Sequence, residues 1–252
     1  MKKKLIFSTL WEQLFESIKD AILANQYRPG EELQIEKLAA EYGVSNTPVR
    51  EALARLASAG LVRIIPNKGA VVAPITEGDI RDVWEVRKLL EPHLAEAAAE
   101  NCNPEELLGL IAELQNVLDH PDDFAAYSQV SFEVHALFYK HLSNKLLREV
   151  LERVNLHSIR IRHYVEGSED PIRCEVIRQV TQEHLEIVEA LRRRDAKEAG
   201  RKILEHLSAG EKRLLRVLRA REQEALLMAG AGASLMREDK KTLAAEAFSV
   251  PH

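Results

Sequence analysis

Cysteine is scarce: Cys102 and Cys174 are the only two in 252 residues. The count allows one disulfide, but two scattered cysteines are more often thiols held in a reducing cytoplasm, which is the expected location. No apolar run approaches the roughly 20 residues that a membrane helix needs, so no membrane partner is expected. The N-terminus, Met1-Lys2-Lys3-Lys4-Leu5-Ile6-Phe7-Ser8, opens like a secretory signal, but Trp11-Glu12-Gln13 interrupts it before an apolar stretch develops. The expectation there is a short basic arm without export. H-E-x-x-H, the P-loop, G-x-S-x-G and the glycine-rich dinucleotide fingerprint are also missing, which removes the usual motif-based grounds for an enzyme. There is no internal repeat.

What is present fits a two-domain protein, since a chain of this length is long for one core. The composition, 46% hydrophobic and 30% charged, is that of an ordinary globular chain. Its net charge of −5 divides unevenly. Residues 1–75 carry ten Lys/Arg against eight Asp/Glu, and the remainder carries twenty-five against thirty-two. That asymmetry runs in the direction a nucleic-acid partner requires, though by itself it decides nothing.

Periodicity predicts a first helix from Thr9 to about Asn25, with Leu10, Leu14, Ile18, Ala21 and Ile22 on one face and Arg28-Pro29-Gly30 after its end. A short second helix is expected over 34–42, closed by Gly43. A third starts at an N-cap Ser45, carries Pro48 in its first turn, turns Val49, Ala52, Leu53 and Leu56 inward, and stops at Gly60. Residues 61–65 and 70–73 then read as two strands flanking Pro66-Asn67-Lys68-Gly69, a β-hairpin. Beyond Thr76 every readable segment is helical: near 77–100, 104–119, 122–142, 144–166, 171–194, 195–228 with a break, and 235–247. The fold class expected is therefore mainly α, a small winged helix-turn-helix at 1–75 and an antiparallel helical bundle at 76–228. The run Ala229-Gly230-Ala231-Gly232-Ala233-Ser234 reads as a hinge before a C-terminal tail, 229–252.

Pro29-Gly30, Leu38-Ala39, Gly43-Val44-Ser45, Thr47-Pro48-Val49-Arg50-Glu51-Ala52-Leu53, Leu56, Gly60-Leu61-Val62 and Gly69 resemble the GntR family of regulators. Val86-Arg87-x-x-Leu90-Glu91, Phe132-Glu133-Val134-His135, Glu183-His184-Leu185 through Asp195, and Ile203 through His206-Leu207 resemble its FadR-like subfamily, whose effector domain (FCD type) is an antiparallel helical bundle. The likeness spans about residues 9–220. It implies a DNA-binding transcriptional regulator, a repressor by family default, working as a homodimer on a short inverted-repeat operator in double-stranded DNA.

The third helix would enter the major groove N-terminus first. Arg50 is the candidate base contact, because a guanidinium matches guanine O6/N7; on an ordinary helix it would be a solvated charge. Ser45, Asn46 and Thr47 stand where hydroxyls, amides and free N–H groups suit phosphate. Asn46 departs from the family's arginine, which either shifts preference toward A·T at one position or removes one phosphate contact. Lys68 and Gly69 resemble the family's minor-groove probe, or form a plain hairpin turn. Lys2, Lys3 and Lys4 either add non-specific phosphate attraction or are merely disordered.

His135, His184 and His206 fall on the landmarks of the subfamily's metal-binding branch. The likeness implies that three helices bring them to one divalent ion, zinc or nickel by the usual preference of imidazole. The family's fourth ligand, an aspartate one turn before the first histidine, is Ser131 here. The site is then either a three-histidine metal site with open positions for a small organic-acid effector, or a metal-free polar pocket. Arg87 is either a clamp for the effector's carboxylate or the partner of Glu91 one turn on. Two other functions remain in view: a metal-dependent enzyme built on the three histidines, and an architectural DNA binder without ligand control.

Overall fold

The structure is a computed structural model that describes residues 9–140, 142–166 and 173–247, with side chains as far as residue 223. Lys2, Lys3 and Lys4 lie outside the described residues. The N-terminal unit begins with α1 (Leu10–Leu23), whose start is fixed by the Thr9 amide donating to the Glu12 carboxylate at 2.6 Å. Leu14, Ile18 and Ile22 are buried at the expected spacing, whereas Leu10 at the helix start is half exposed. The α2 helix (Ile35–Tyr42) ends on Gly43 in the left-handed conformation, φ 66°, which an L side chain there would resist. The α3 helix (Asn46–Ser58) follows from the N-cap Ser45 and buries Val49, Ala52, Leu53 and Leu56.

The sheet differs from the expected hairpin. Besides β2 (Val62–Ile65) and β3 (Gly69–Val72) there is β1 (Glu32–Gln34), and the order is β1-β3-β2, both pairs antiparallel. Leu33 pairs with Ala70 across the added edge and is buried with it. Three residues between Gly30 and a helix are too few for a strand period to show in sequence; only the partner strand defines them. Together α1, α2, α3 and the sheet close one apolar core.

The second unit consists of α4 (Glu77–Asn101), α5 (Pro104–Asp119), α6 (Phe124–Ala136), α7 (Lys145–Glu166), α8 (Arg173–Arg192) and α9 (Ala196–Ala247). Its starts are read locally: Thr76 with Asp79, Asn103 before Pro104, Asp123, and Asp195 accepting the Glu198 amide at 3.1 Å. Helix α4 packs chiefly on α9 and α5 on α8. Helix α6 stops at Ala136 rather than 142, and Leu137, Phe138 and Tyr139 continue into the core through turns. Helix α9 passes through 229–234 as helix, so neither the expected break nor a hinge interrupts it. Alanine is the best helix former, and two glycines at about 1 kcal/mol each do not outweigh the alanines beside them.

Helix α7 touches both units. Leu156 packs on the core of the first unit, the Arg160 guanidinium donates to the Ala73 carbonyl, and His157 is hydrogen-bonded to the backbone of Ala59, the C-cap of α3. Among the described residues no helix is long and apolar enough to cross a membrane. Both cysteines are free and half-buried, and burial raises the Cys102 thiol.

Gly69 generates a test of the sheet. It is buried with φ 146°, and a Cβ there would overlap the Leu33 carbonyl of β1. Gly69→Ala should destabilise the chain by at least ~2 kcal/mol in urea unfolding, because β1 must part from β3. A change under ~0.5 kcal/mol would show that this edge contributes little.

Candidate DNA-reading helix and buried histidine site

Ser45, Asn46, Thr47 and Arg50 all lie on the exposed N-terminal end of α3, the side turned away from its buried Val49–Leu53–Leu56 face. The first-turn N–H groups of a helix have no intrahelical partners, so this end offers donors and a positive dipole to a polyanion. Lys68 is exposed in the β2–β3 turn. Gly69 is one residue further, buried in β3, and the close approach its missing side chain permits is to Leu33 rather than to an outside partner.

The three histidines meet. His135 comes from α6, His184 from α8 and His206 from α9, with ring centroids 4.6–5.3 Å apart. A nitrogen from each lies within 4.8 Å of the others, and all three residues are buried. Burial pushes His135 and His184 well below the ordinary imidazole value, with neighbouring arginines and histidines adding to the effect. His206 is lowered too, since burial outweighs the hydrogen bond to Glu183. All three shifts favour the neutral imidazole, the form that ligates metals.

Two carboxylates orient the set. His135 Nδ1 donates to Glu91 at 2.8 Å, and His206 Nδ1 donates to Glu183 at 2.7 Å, so in both the Nε2 lone pair is left for the interior. Burial raises the Glu183 carboxyl, but hydrogen bonds from His206 and Arg213 outweigh it and hold the group ionised. His184 has no partner at either ring nitrogen although it is fully buried. Orphaned buried polar atoms of this kind are costly, and a cation bonded to one nitrogen removes part of that cost. The donor set thus fits a borderline divalent metal.

Arg87 is committed to protein partners. Its Nε donates to Glu91 at 2.6 Å, its Nη1 to Ser158 of α7 at 2.7 Å, and its guanidinium lies over the Trp84 ring. Of the two readings open to it, the pair with Glu91 is the one seen. Ser131 is fully buried and accepts a hydrogen bond from Arg162 of α7. A cavity of about 20 Å3 remains among Arg87, His135, Arg162 and His206, space for about one water.

Sequence reasoning missed Glu183, Arg162 and Arg213. Glu183 could have been found, because it adjoins His184 and lies at helical spacing from Gln179 and Glu186 on a helix that the periodicity shows. Arg162 carries no such signal: it is one of several basic residues on α7, and only the fold turns it inward.

The buried pair sets a further expectation. Arg87→Met would leave Glu91 in the core without its cationic partner and with only the hydrogen bond from His135, which should cost about 3–5 kcal/mol in urea unfolding. A loss under 1 kcal/mol would mean that the Arg87–Glu91 pair contributes little to the core.

The comparisons with known proteins agree with this geometry. The model of the bacterial regulatory proteins of the gntR family matches residues 10–72, and that of the FCD domain matches residues 82–209. The transcriptional regulator YdhC of Bacillus subtilis is 26% identical over 211 residues, covering 82% of this chain and 91% of that one. The transcriptional repressor RspR of Escherichia coli is 25% identical over 198 residues, covering 78% and 85%. Among solved structures, E. coli McbR/YncC superposes with a TM-score of 0.71 at 22% identity, covering 83% of this chain and 99% of its own. The metal-free FCD domain of TM0439 superposes with a TM-score of 0.51 at 23% identity, covering 59% and 99%. The exposed N-terminal end of α3 heads a winged domain, the histidines sit within a helical bundle, and the two matched models cover both: the chain belongs to the GntR family of transcriptional regulators, of the kind that carries an FCD domain, and is a regulator rather than an enzyme.

Proposed function

We propose that the chain is a ligand-controlled repressor: residues 1–75 read DNA, residues 76–228 bind a small organic acid at a metal held by the three histidines, and 229–252 is a C-terminal segment. The observation that carries the proposal is the cluster of three buried imidazoles, one of them with both nitrogens unpartnered. His135, His184 and His206 would hold the ion, zinc or nickel by ligand type, and Glu91 and Glu183 would orient two of them. When bound, the ion supplies a Lewis-acidic position for a carboxylate oxygen and ties α6, α8 and α9 together. Repression is supported by the names of two relatives, the repressor RspR of Escherichia coli and the gluconate operon transcriptional repressor of Bacillus licheniformis.

On DNA, Arg50 contacts a base while Ser45, Asn46, Thr47 and Lys68 hold phosphate, and Gly69 keeps the wing in register. One such head covers too short a site for useful specificity. A homodimer on a short inverted repeat supplies the second half-site. Helix α7 gives control a physical route. Ser158 and Arg162 face the histidine region, whereas Leu156, His157 and Arg160 face the reading head, so a shift of α7 is felt at the end of α3 and at Ala73.

Two measurements check this reading. Arg50→Ala should weaken operator binding by about 1–3 kcal/mol and flatten preference at one base pair, while Lys68→Ala weakens binding with less change of preference. Unchanged affinity of Arg50→Ala would refute the docking. In calorimetry with zinc the chain should bind about one ion and His184→Ala none, with the helical content intact. If His184→Ala binds zinc as tightly as the parent chain, the three-histidine site does not hold metal.

A further inference from the structure

The carboxylates that touch the histidine cluster are already neutralised, Glu91 by Arg87 and Glu183 by Arg213 at 2.9 Å. Arg162 is not. It is 8% exposed, its Nε and Nη2 have no partner, and its Nη1 donates to the neutral hydroxyl of Ser131. Among the described residues it has no ion pair. A guanidinium stays charged at any relevant pH, and an unpaired charge in a bundle core is strongly unfavourable unless something else completes it. What is missing is a carboxylate: an acidic side chain at position 131, one turn from His135, would face both Arg162 and the histidines, and serine stands there instead.

We infer that Arg162 is the effector-binding residue of this chain, and that the carboxylate of a small organic acid occupies the place an acidic side chain at 131 would fill. The inference rests on the metal-site reading above and deepens it, moving the clamp from Arg87 to Arg162. The charges agree. Three neutral imidazoles leave both charges of a divalent ion uncompensated, and Arg162 lies on the same small cavity as His135 and His206. A planar carboxylate suits the two free guanidinium nitrogens as well as the ion. The cavity of about 20 Å3 has room for about one water in this conformation, so even the acid's head must push its lining apart. Anything attached to that head must move a wall, and the wall bearing Arg162 is α7, the helix that reaches the reading head.

The test uses the full chain, zinc, and formate, a carboxylate head with nothing attached. Zinc affinity is measured by calorimetry with and without formate, for the parent chain, Arg162→Met and Ser131→Asp, with circular dichroism confirming each fold. In the parent chain formate should tighten zinc binding at least tenfold, and zinc should tighten formate by the same factor, since the coupling is reciprocal. Arg162→Met should bind zinc alone at least as tightly as the parent, because a positive charge is gone, and should lose most of the formate effect. Ser131→Asp should bind zinc tightly without formate and gain nothing from it. Equal enhancement in the parent and Arg162→Met, no enhancement in the parent, or formate dependence persisting in Ser131→Asp would each overturn the role of Arg162 while leaving the metal site standing. Failure of the parent chain to bind zinc would instead bring down the metal reading on which the inference rests.

Discussion

Desolvation at the centre of the bundle is the constraint on which the rest depends. Three imidazoles, Arg87, Glu91, Arg162 and Ser131 are all buried there, in the middle of a largely apolar core. Every one of these groups would be better solvated in water, so the bundle tolerates them only through mutual pairing. Glu91 serves two partners, Arg87 and His135; Glu183 likewise serves His206 and Arg213. The pairs stop short of completion at His184 and Arg162, which lie close enough to act on each other electrostatically. The incompleteness is chemically matched, since lone pairs call for a cation and guanidinium donors call for an anion.

The incomplete set is tied to the first unit by one helix. Helix α7 presents Ser158 and Arg162, spaced one turn apart, to the buried cluster, and Leu156 and Arg160, spaced the same way, to the winged unit. A rotation of α7 small enough to re-seat Arg162 therefore also strains the Arg160–Ala73 contact and the His157–Ala59 contact behind α3. A cleft of about 380 Å3 borders these contacts, lined by Gly60, Pro74, Asp79 and Arg160 among others, so this part of the junction between the two units is open rather than close-packed.

Much of the fold was legible because its signals are local. The inward face of α3 (Val49, Ala52, Leu53 and Leu56), the left-handed Gly43 and the caps at Ser45 and Thr76 follow from spacing and from backbone chemistry. Strand β1 and the continuity of α9 were not. The first depends on hydrogen bonds to a partner strand, and the second on a balance of alanine against glycine that a small-residue run does not reveal by eye. In the same way the histidines came from motif resemblance, and the structure adds that they converge. What completes the site, Arg162 reaching Ser131 and the double use of Glu91, depends on helix rotation, and charged residues on a helix are solvated far more often than buried.

The central claim is that His135, His184 and His206 form one metal site. Diffraction from crystals grown with zinc, recorded on both sides of the zinc absorption edge, tests it most directly. The account predicts one anomalous peak per chain, bonded to a nitrogen from each of the three rings. A map with no peak among them, or with the zinc held elsewhere on the chain while water fills the space between the rings, would contradict it.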